Sequence, residues 1–276
     1  MATAPLIQLA SGHSIPQLGL GTWPLDDAQA ADVVTTALEL GYRHIDTAEN
    51  YGNEAGVGEG LRRSGMPRED VFITTKFNRE WHSVNGVHTA WENAVRRLGV
   101  DYLDLFLIHW PNPDQDSYVQ AWDGLTQLRA EGKVRSIGVS NFFPAHAGRL
   151  IEATGVAPDV NQLQISPYWV KDEARAFNAG HGTVTESYTP IGRGKELLGE
   201  PAVVAAAEAH GVTPAQGVLR WHTQQGLVAI PKSTHRERLA ENLDVFGFDL
   251  TPEELGAFNA LDGSGPEAAD PESFGH

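Results

Sequence analysis

Eight short runs of strand-favouring residues recur along the chain, and nearly all are separated by stretches of helical periodicity. This alternation limits the possible folds more than any other feature of the sequence. The runs fall at residues 18–23, 44–48, 71–76, 102–109, 134–141, 159–165, 184–190 and 228–233. Several, such as Val71-Phe72-Ile73, are almost continuously apolar, as parallel strands covered on both faces require. Helical patterns occupy 27–40, 54–63, 84–98, 117–131, 144–153, 172–178 and 213–225. In the first of these, Asp26 and Asp27 are cap candidates, Ala30, Val33, Val34, Ala37 and Leu38 share one face, and Gly41 supplies the stop. Eight strand–helix units within 276 residues predict an α/β fold, a closed (β/α)8 TIM barrel rather than an open sheet, with residues 1–276 as one domain.

Four features depart from simple alternation. Residues 6–9 and 13–16, joined by Ala10-Ser11-Gly12, read as an N-terminal β-hairpin. Two helices are inserted, at 201–210 ahead of 213–225 and at 236–246 ahead of 252–261. The tail at 263–276, rich in Gly, Pro, Ser and acids, is expected to be irregular.

Composition removes several function classes. Lys and Arg number 20 against 36 Asp and Glu, a formal charge of −16, so nucleic acid and anionic lipid are poor partners. There is no cysteine, which excludes disulfides and thiolate metal sites. No run of apolar residues is long enough to span a bilayer, and Met1-Ala2-Thr3-Ala4-Pro5 lacks the basic start of a secretory leader, so a cytoplasmic protein is expected. A Rossmann dinucleotide site is also excluded. Gly19-Leu20-Gly21 has no third glycine at the required spacing, and Gly56-Val57-Gly58-Glu59-Gly60 follows no strand and sits in a helical pattern.

In an α/β barrel, chemistry gathers where strands end. The second strand ends in Ile45-Asp46-Thr47-Ala48 with Tyr51 close behind, the third in Thr74-Thr75-Lys76, and the fourth in Leu107-Ile108-His109. Singly, Asp46 reads as a helix cap, Lys76 as a snorkelling surface lysine and His109 as a core histidine. Together, on three consecutive strands, they suit carbonyl reduction. A carbonyl that accepts hydride becomes an alkoxide and needs a proton. Tyr51 is the candidate donor, Lys76 is expected to lower its pKa, Asp46 to hold Lys76, and a neutral His109 to orient the substrate oxygen. No metal is required. His44, His109, Asp46 and Asp104 make a poor ligand set, because Asp104 lies five residues before His109 and so on the other face, and His44 starts its strand at the opposite rim.

Read in order, several segments resemble the aldo-keto reductase family. They are Gly41-Tyr42-Arg43-His44-Ile45-Asp46-Thr47-Ala48, Tyr51-Gly52-Asn53-Glu54, Ile73-Thr74-Thr75-Lys76, Leu103 through Pro111, Ile137-Gly138-Val139-Ser140-Asn141-Phe142 and Ile230-Pro231-Lys232-Ser233. Ile15-Pro16-Gln17-Leu18-Gly19, Thr213-Pro214-Ala215-Gln216 and Arg220-Trp221-His222 are most similar to the bacterial 2,5-diketo-D-gluconate reductase-like group. The resemblance implies that Asp46, Tyr51, Lys76 and His109 are the catalytic four. It implies NADPH as cofactor, with Ser140, Asn141 and Gln162 on the nicotinamide carboxamide and Tyr188 stacked on the ring. It also implies a monomer acting on a small carbonyl compound. Ser166 departs from the family pattern, which often has His before this proline.

Lys232-Ser233-Thr234-His235-Arg236-Glu237-Arg238 carries three cations against one acid in an acidic chain, after the last strand and at a helix start, where barrels bind phosphate. Lys232, Ser233 and Arg238 are therefore expected to take an extra ribose phosphate, favouring NADPH over NADH. The family pattern adds Glu241 and Asn242 near the adenine. Trp23, Trp81 and Trp110, with Tyr51 and His109, are expected to wall a pocket for aldehydes, α-dicarbonyls, ketones or keto sugars. A barrel that merely senses cofactor is the alternative, and turnover with a reactive aldehyde separates the two.

Overall fold

The structure, a computed structural model, describes residues 4–192 and 195–275. Residues 1–3, where no leader was read, 193–194, and 276, the last of the expected tail, lie outside them. Strands β1 (Leu6–Gln8) and β2 (Ser14–Pro16) form the antiparallel hairpin, with Ile7 opposite Ile15. It plugs one end of the barrel, where Leu9 and Ile15 are buried with Leu105, Leu107, Val160 and Val228. Eight parallel strands follow in sequential order: β3 (Leu20–Gly21), β4 (His44–Asp46), β5 (Phe72–Phe77), β6 (Leu103–Ile108), β7 (Val134–Ser140), β8 (Val160–Gln164), β9 (Val184–Tyr188) and β10 (Val228–Ile230). The ring shuts between β10 and β3. The Ala229 amide donates to Gln17 O at 3.1 Å, the Gly19 amide to Ala229 O at 2.9 Å, and the Gly21 amide to Pro231 O at 3.1 Å. Closure leaves the eight-stranded barrel no strand edge to protect.

Helices α1 (Asp27–Leu40), α2 (Glu54–Ser64), α3 (Val84–Leu98), α4 (Tyr118–Ala130), α5 (Pro144–Thr154) and α6 (Asp172–Gly180) follow β3 to β8. α7 (Lys195–Leu198), α8 (Pro201–His210) and α9 (Pro214–Gln224) lie between β9 and β10, and α10 (Arg236–Leu243) and α11 (Pro252–Asn259) close the chain. The caps read from the sequence form at α1: Asp26 accepts from the Gln29 amide in a capping box, and Gly41 takes φ 116°. α7 was not expected.

The strands are shorter than their apolar runs, for local reasons. β10 stops at Ile230 because Pro231 has no N–H to continue the ladder. β9 stops at Tyr188 because Thr189 turns to φ 53°. α10 ends three residues before the expected 246: Val245 is buried beyond its end, so an apolar residue extended the pattern without extending the helix.

The glycines of α2 are explained by close approach rather than by nucleotide binding. A Cβ on Gly56 would lie 2.2 Å from Asp27 O, and one on Gly58 would lie 2.1 Å from Leu98 O, so α2 sits directly on the backbones of α1 and α3. Gly58→Ala should therefore cost roughly 1–3 kcal/mol in urea unfolding. Gly148→Ala in α5, where a Cβ meets only the Phe177 ring at an ordinary 3.7 Å, should be neutral or stabilising. Equal effects would contradict the close-packing account.

Two of the buried histidines stay neutral deep inside the fold. Burial pushes His44, in the barrel interior, and His222, on α9, down to about 3. His222 Nε2 donates to Pro190 O and Nδ1 accepts from Ser187 Oγ, both at 3.0 Å, tying α9 to the end of β9. An unfolded histidine titrates at about 6.5, so as pH falls the unfolded chain takes up these protons well before the folded one. Their stabilising contribution is complete above about 6.5 and is lost towards 3. Tm should fall through that window, and His222→Gln, which can still donate to Pro190, should reduce the slope by about one proton. A Tm flat from about pH 6.5 to about pH 4 would rule this out.

Candidate active site

Side chains two apart on a strand share a face, so the barrel interior can be read in pairs: His44 and Asp46, Thr74 and Lys76, Gln162 and Gln164, Glu186 and Tyr188. The second member of each pair lies nearer the C-terminal rim. There the structure brings together the ionisable groups expected from β4, β5 and β6.

Lys76 is buried, and its Nζ donates to Asp46 Oδ1 at 2.8 Å, Asp46 Oδ2 at 2.9 Å and Thr47 O at 2.9 Å, with Tyr51 Oη the most distant neighbour at 3.5 Å. Burial alone would lower the lysine pKa, but the charges of Asp46 and Tyr51 and the Asp46 hydrogen bond outweigh it, and the ammonium is held above its ordinary value. The phenol of Tyr51 moves against expectation. Burial pushes its pKa up, the Lys76 charge and hydrogen bond pull it down, and the charges of Asp46 and Glu186 push it up, leaving it above an ordinary tyrosine. The pull of Lys76 is present, as the sequence predicted, but desolvation exceeds it. His109 stands just past β6, its ring centroid 6.0 Å from that of Tyr51 in an edge-on arrangement.

The residues after Tyr51 keep it in place. Tyr51 ends a 3-10 turn, Glu49–Tyr51, closed by Gly52 at φ 67°. Buried Asn53 accepts from Thr47 Oγ1 at 2.7 Å and donates to Thr22 O at 3.1 Å and Leu25 O at 2.9 Å, joining the loops after β3 and β4. Buried Glu54 accepts from Thr75 Oγ1 at 2.6 Å and Arg97 Nε at 2.5 Å. In the Tyr51-Gly52-Asn53-Glu54 segment, Tyr51 faces the cavity and the other three fix its position.

A cavity of about 980 Å³ opens above this group, with Asp46, Tyr51 and His109 in its wall. Trp23 and Trp110 also line it, as do Ser140, Asn141, Gln162, Tyr188 and Lys232. Ser140, Asn141, Gln162 and Tyr188 form a connected set. Tyr188 Oη donates to Asn141 Oδ1 at 2.8 Å, Asn141 Nδ2 donates to His109 O and to Ser140 Oγ at 3.1 Å each, and Ser140 Oγ donates to Gln162 O at 3.0 Å. Asn141 takes φ 63°, which Asn tolerates, whereas Thr189 at φ 53° is strained and is pinned between residues that His222 holds.

Other expected residues lie elsewhere. Trp81 is not in the cavity wall; its indole donates to Glu49 Oε2 at 2.9 Å. Ser233, Arg238, Glu241 and Asn242 continue from Lys232 into α10 and are not in the wall either. Ser233 Oγ accepts the His235 amide at 3.1 Å at the helix start, Arg238 and Glu241 are exposed, and Asn242 is buried.

Sequence reasoning missed Gln164 and Asn50 in the wall, although Gln164 was accessible to it, being two residues beyond Gln162 on the same face. The tail crosses the mouth. Glu267, Ala268 and Ala269 line it, the Ala269 amide donates to Gln164 Oε1 at 3.3 Å, and the Phe274 ring meets Trp110 at 4.8 Å.

The family model described as "Aldo/keto reductase family" matches residues 17–262. An aldo-keto reductase of Mycolicibacterium smegmatis is 45% identical over 276 residues, covering 98% of each chain. Methylglyoxal reductase DkgA of Escherichia coli (strain K12) is 43% identical over 276 residues, covering the whole of both. Among solved structures, a mutant of Gox0644 in complex with NADPH superimposes with a TM-score of 0.94 at 42% identity, covering 99% of each chain. The buried lysine–aspartate pair, the tyrosine and histidine beside it, and the closed barrel that carries them thus belong to a member of the aldo/keto reductase family, an oxidoreductase acting on carbonyl groups.

Proposed function

We propose that this protein reduces aldehydes, α-dicarbonyls, keto sugars or ketones to alcohols with NADPH, with Tyr51 as proton donor, and that the reaction also runs in reverse. The reading includes one barrel domain acting as a cytoplasmic monomer. The observation that carries it is the Lys76 ammonium, bound to Asp46 and adjacent to a tyrosine in the cavity wall.

The residues present suit the cofactor. Gln162, Asn141 and Ser140 offer amide and hydroxyl groups at one place in the wall, and Tyr188 is held by its hydroxyl with its ring at the cavity, as a partner for a flat heterocycle should be. Lys232 stands at the same wall, and the start of α10 with Ser233 and Arg238 would take the ribose phosphate. When bound, the nicotinamide supplies the hydride.

Tyr51 and His109 flank one region of the wall, so a carbonyl oxygen there meets a phenol and an imidazole. As negative charge grows on that oxygen, Tyr51 transfers its proton and the phenolate is stabilised by Lys76. The raised phenol pKa does not prevent this. An alkoxide is a far stronger base than a phenolate, and the upward shift keeps Tyr51 protonated at neutral pH. Asp46 keeps the ammonium charged, and His109 sets the oxygen's position. Trp23 and Trp110 give the substrate apolar walls, with the tail above them.

Tyr51→Phe removes the proton and leaves the ring. NADPH consumption with methylglyoxal should fall roughly 100- to 10,000-fold while NADPH binding stays near wild type; full activity would remove Tyr51 as the donor. Arg238→Ala should raise KM for NADPH about tenfold or more and leave KM for NADH unchanged. Equal efficiency of the wild type with both cofactors would defeat the phosphate assignment.

A further inference from the structure

Glu186 is an acidic residue in the middle of a parallel strand, wholly buried in the barrel, and the chemistry above makes no use of it. Its Oε2 accepts from Gln162 Nε2 at 3.1 Å, and the same nitrogen donates to Asp46 Oδ2 at 2.8 Å. Both N–H groups of Gln162 are therefore directed at carboxyl oxygens inside the barrel. A side-chain amide has two N–H donors and one oxygen, so only the oxygen is left to face the cavity. The opposite orientation would put that oxygen against the Asp46 carboxylate.

We propose that Glu186 is a positioning residue for the cofactor: together with Asp46 it engages both donors of Gln162, so that Gln162 meets the nicotinamide carboxamide only as an acceptor for its N–H. This rests on the proposed contact between Gln162 and the carboxamide. The groups facing Glu186 are His44 and Asp46 from β4, Thr74 and Lys76 from β5 and Gln162 from β8, while Val228, its register partner on β10, is apolar. His44 Nε2 lies 3.6 Å from Glu186 Oε1, too far for a hydrogen bond, and the neutral imidazole is engaged by Thr74 Oγ1 at 3.0 Å. Burial, followed by the charge of Asp46, pushes the Glu186 carboxyl up to about 8. Near neutral pH it is therefore largely protonated, and it gains a full charge only in mild alkali.

The test compares binding of NADP+ with that of its acetylpyridine analogue, whose methyl ketone has no N–H to give Gln162. Wild type should prefer NADP+ about tenfold. Glu186→Met frees one Gln162 donor and should shrink that preference to about twofold, whereas Glu186→Gln, which retains an oxygen facing Gln162, should stay within about twofold of wild type. A wild-type preference that survives Glu186→Met overturns the role of Glu186 alone. A wild type that binds the two equally overturns both this role and the contact between Gln162 and the carboxamide.

Should Glu186→Met fail to fold, Glu186→Gln decides through pH. Ionised Glu186 accepts more strongly from Gln162, and its charge acts on the cationic ring of both ligands alike, so the wild-type preference for NADP+ over the acetylpyridine analogue should rise about twofold between about pH 7 and about pH 9 and be flat in Glu186→Gln. A flat wild-type profile, or an equal rise in the variant, overturns the proposal.

Discussion

An ammonium and a carboxylate taken out of water at the rim of a barrel must recover the lost hydration from each other and from fixed dipoles, and the Lys76–Asp46 pair does so with little to spare. Isolated buried ions cost several kcal/mol each. Here Lys76 Nζ donates to both oxygens of Asp46 and to the Thr47 carbonyl, and Asp46 Oδ2 also accepts from Gln162. Removing one member would leave its partner charged and unpaired. The Tyr51 hydroxyl is the outermost neighbour of this pair, and it alone of the three reaches the cavity with an exchangeable proton.

This requirement explains why so much of the surrounding chain serves to fix position. Closure of the ring between β3 and β10 fixes the distances between strand ends that carry Asp46, Lys76 and Gln162. Asn53 and Glu54, both buried and multiply bonded, clamp the loop that bears Tyr51 to the loop after β3, to β5 and to α3. His222 clamps β9 beyond Tyr188, where Thr189 is held in a conformation that would otherwise relax. Each clamp is neutral or internally paired, so it adds rigidity without adding an uncompensated charge to the interior.

The features legible in the sequence were those with a period. Alternating strands and helices gave the barrel, the caps at Asp26 and Gly41 gave helix ends, and three ionisable residues at equivalent strand ends gave the centre of the site. Features that depend on competition between opposing effects were less legible. The direction of the Tyr51 shift required knowing that burial exceeds the pull of Lys76, which no spacing reports. Trp81 was read as a pocket wall from its loop, but its indole N–H found the Glu49 carboxylate instead. The contact of the tail with Gln164 and Trp110 joins segments about a hundred or more residues apart and leaves no local trace. Glu186 did leave one, as an acid within a buried strand two residues before Tyr188, but its meaning depends on Gln162 and Asp46 on other strands.

The overall charge sets a further condition on how an anionic cofactor is held. A chain of formal charge −16 repels a dinucleotide phosphate at long range, but at physiological salt that field is screened beyond about 8 Å. Contacts within that distance decide the affinity. Lys232 in the wall and the exposed Arg238 are cations within the segment that follows β10, whereas Arg236 is paired with Glu39 at 2.9 Å. The acidic surface thus discourages binding of polyanions in general, while in the proposed binding mode the few cations after β10, with the N–H groups at the start of α10, would favour one anion at one place.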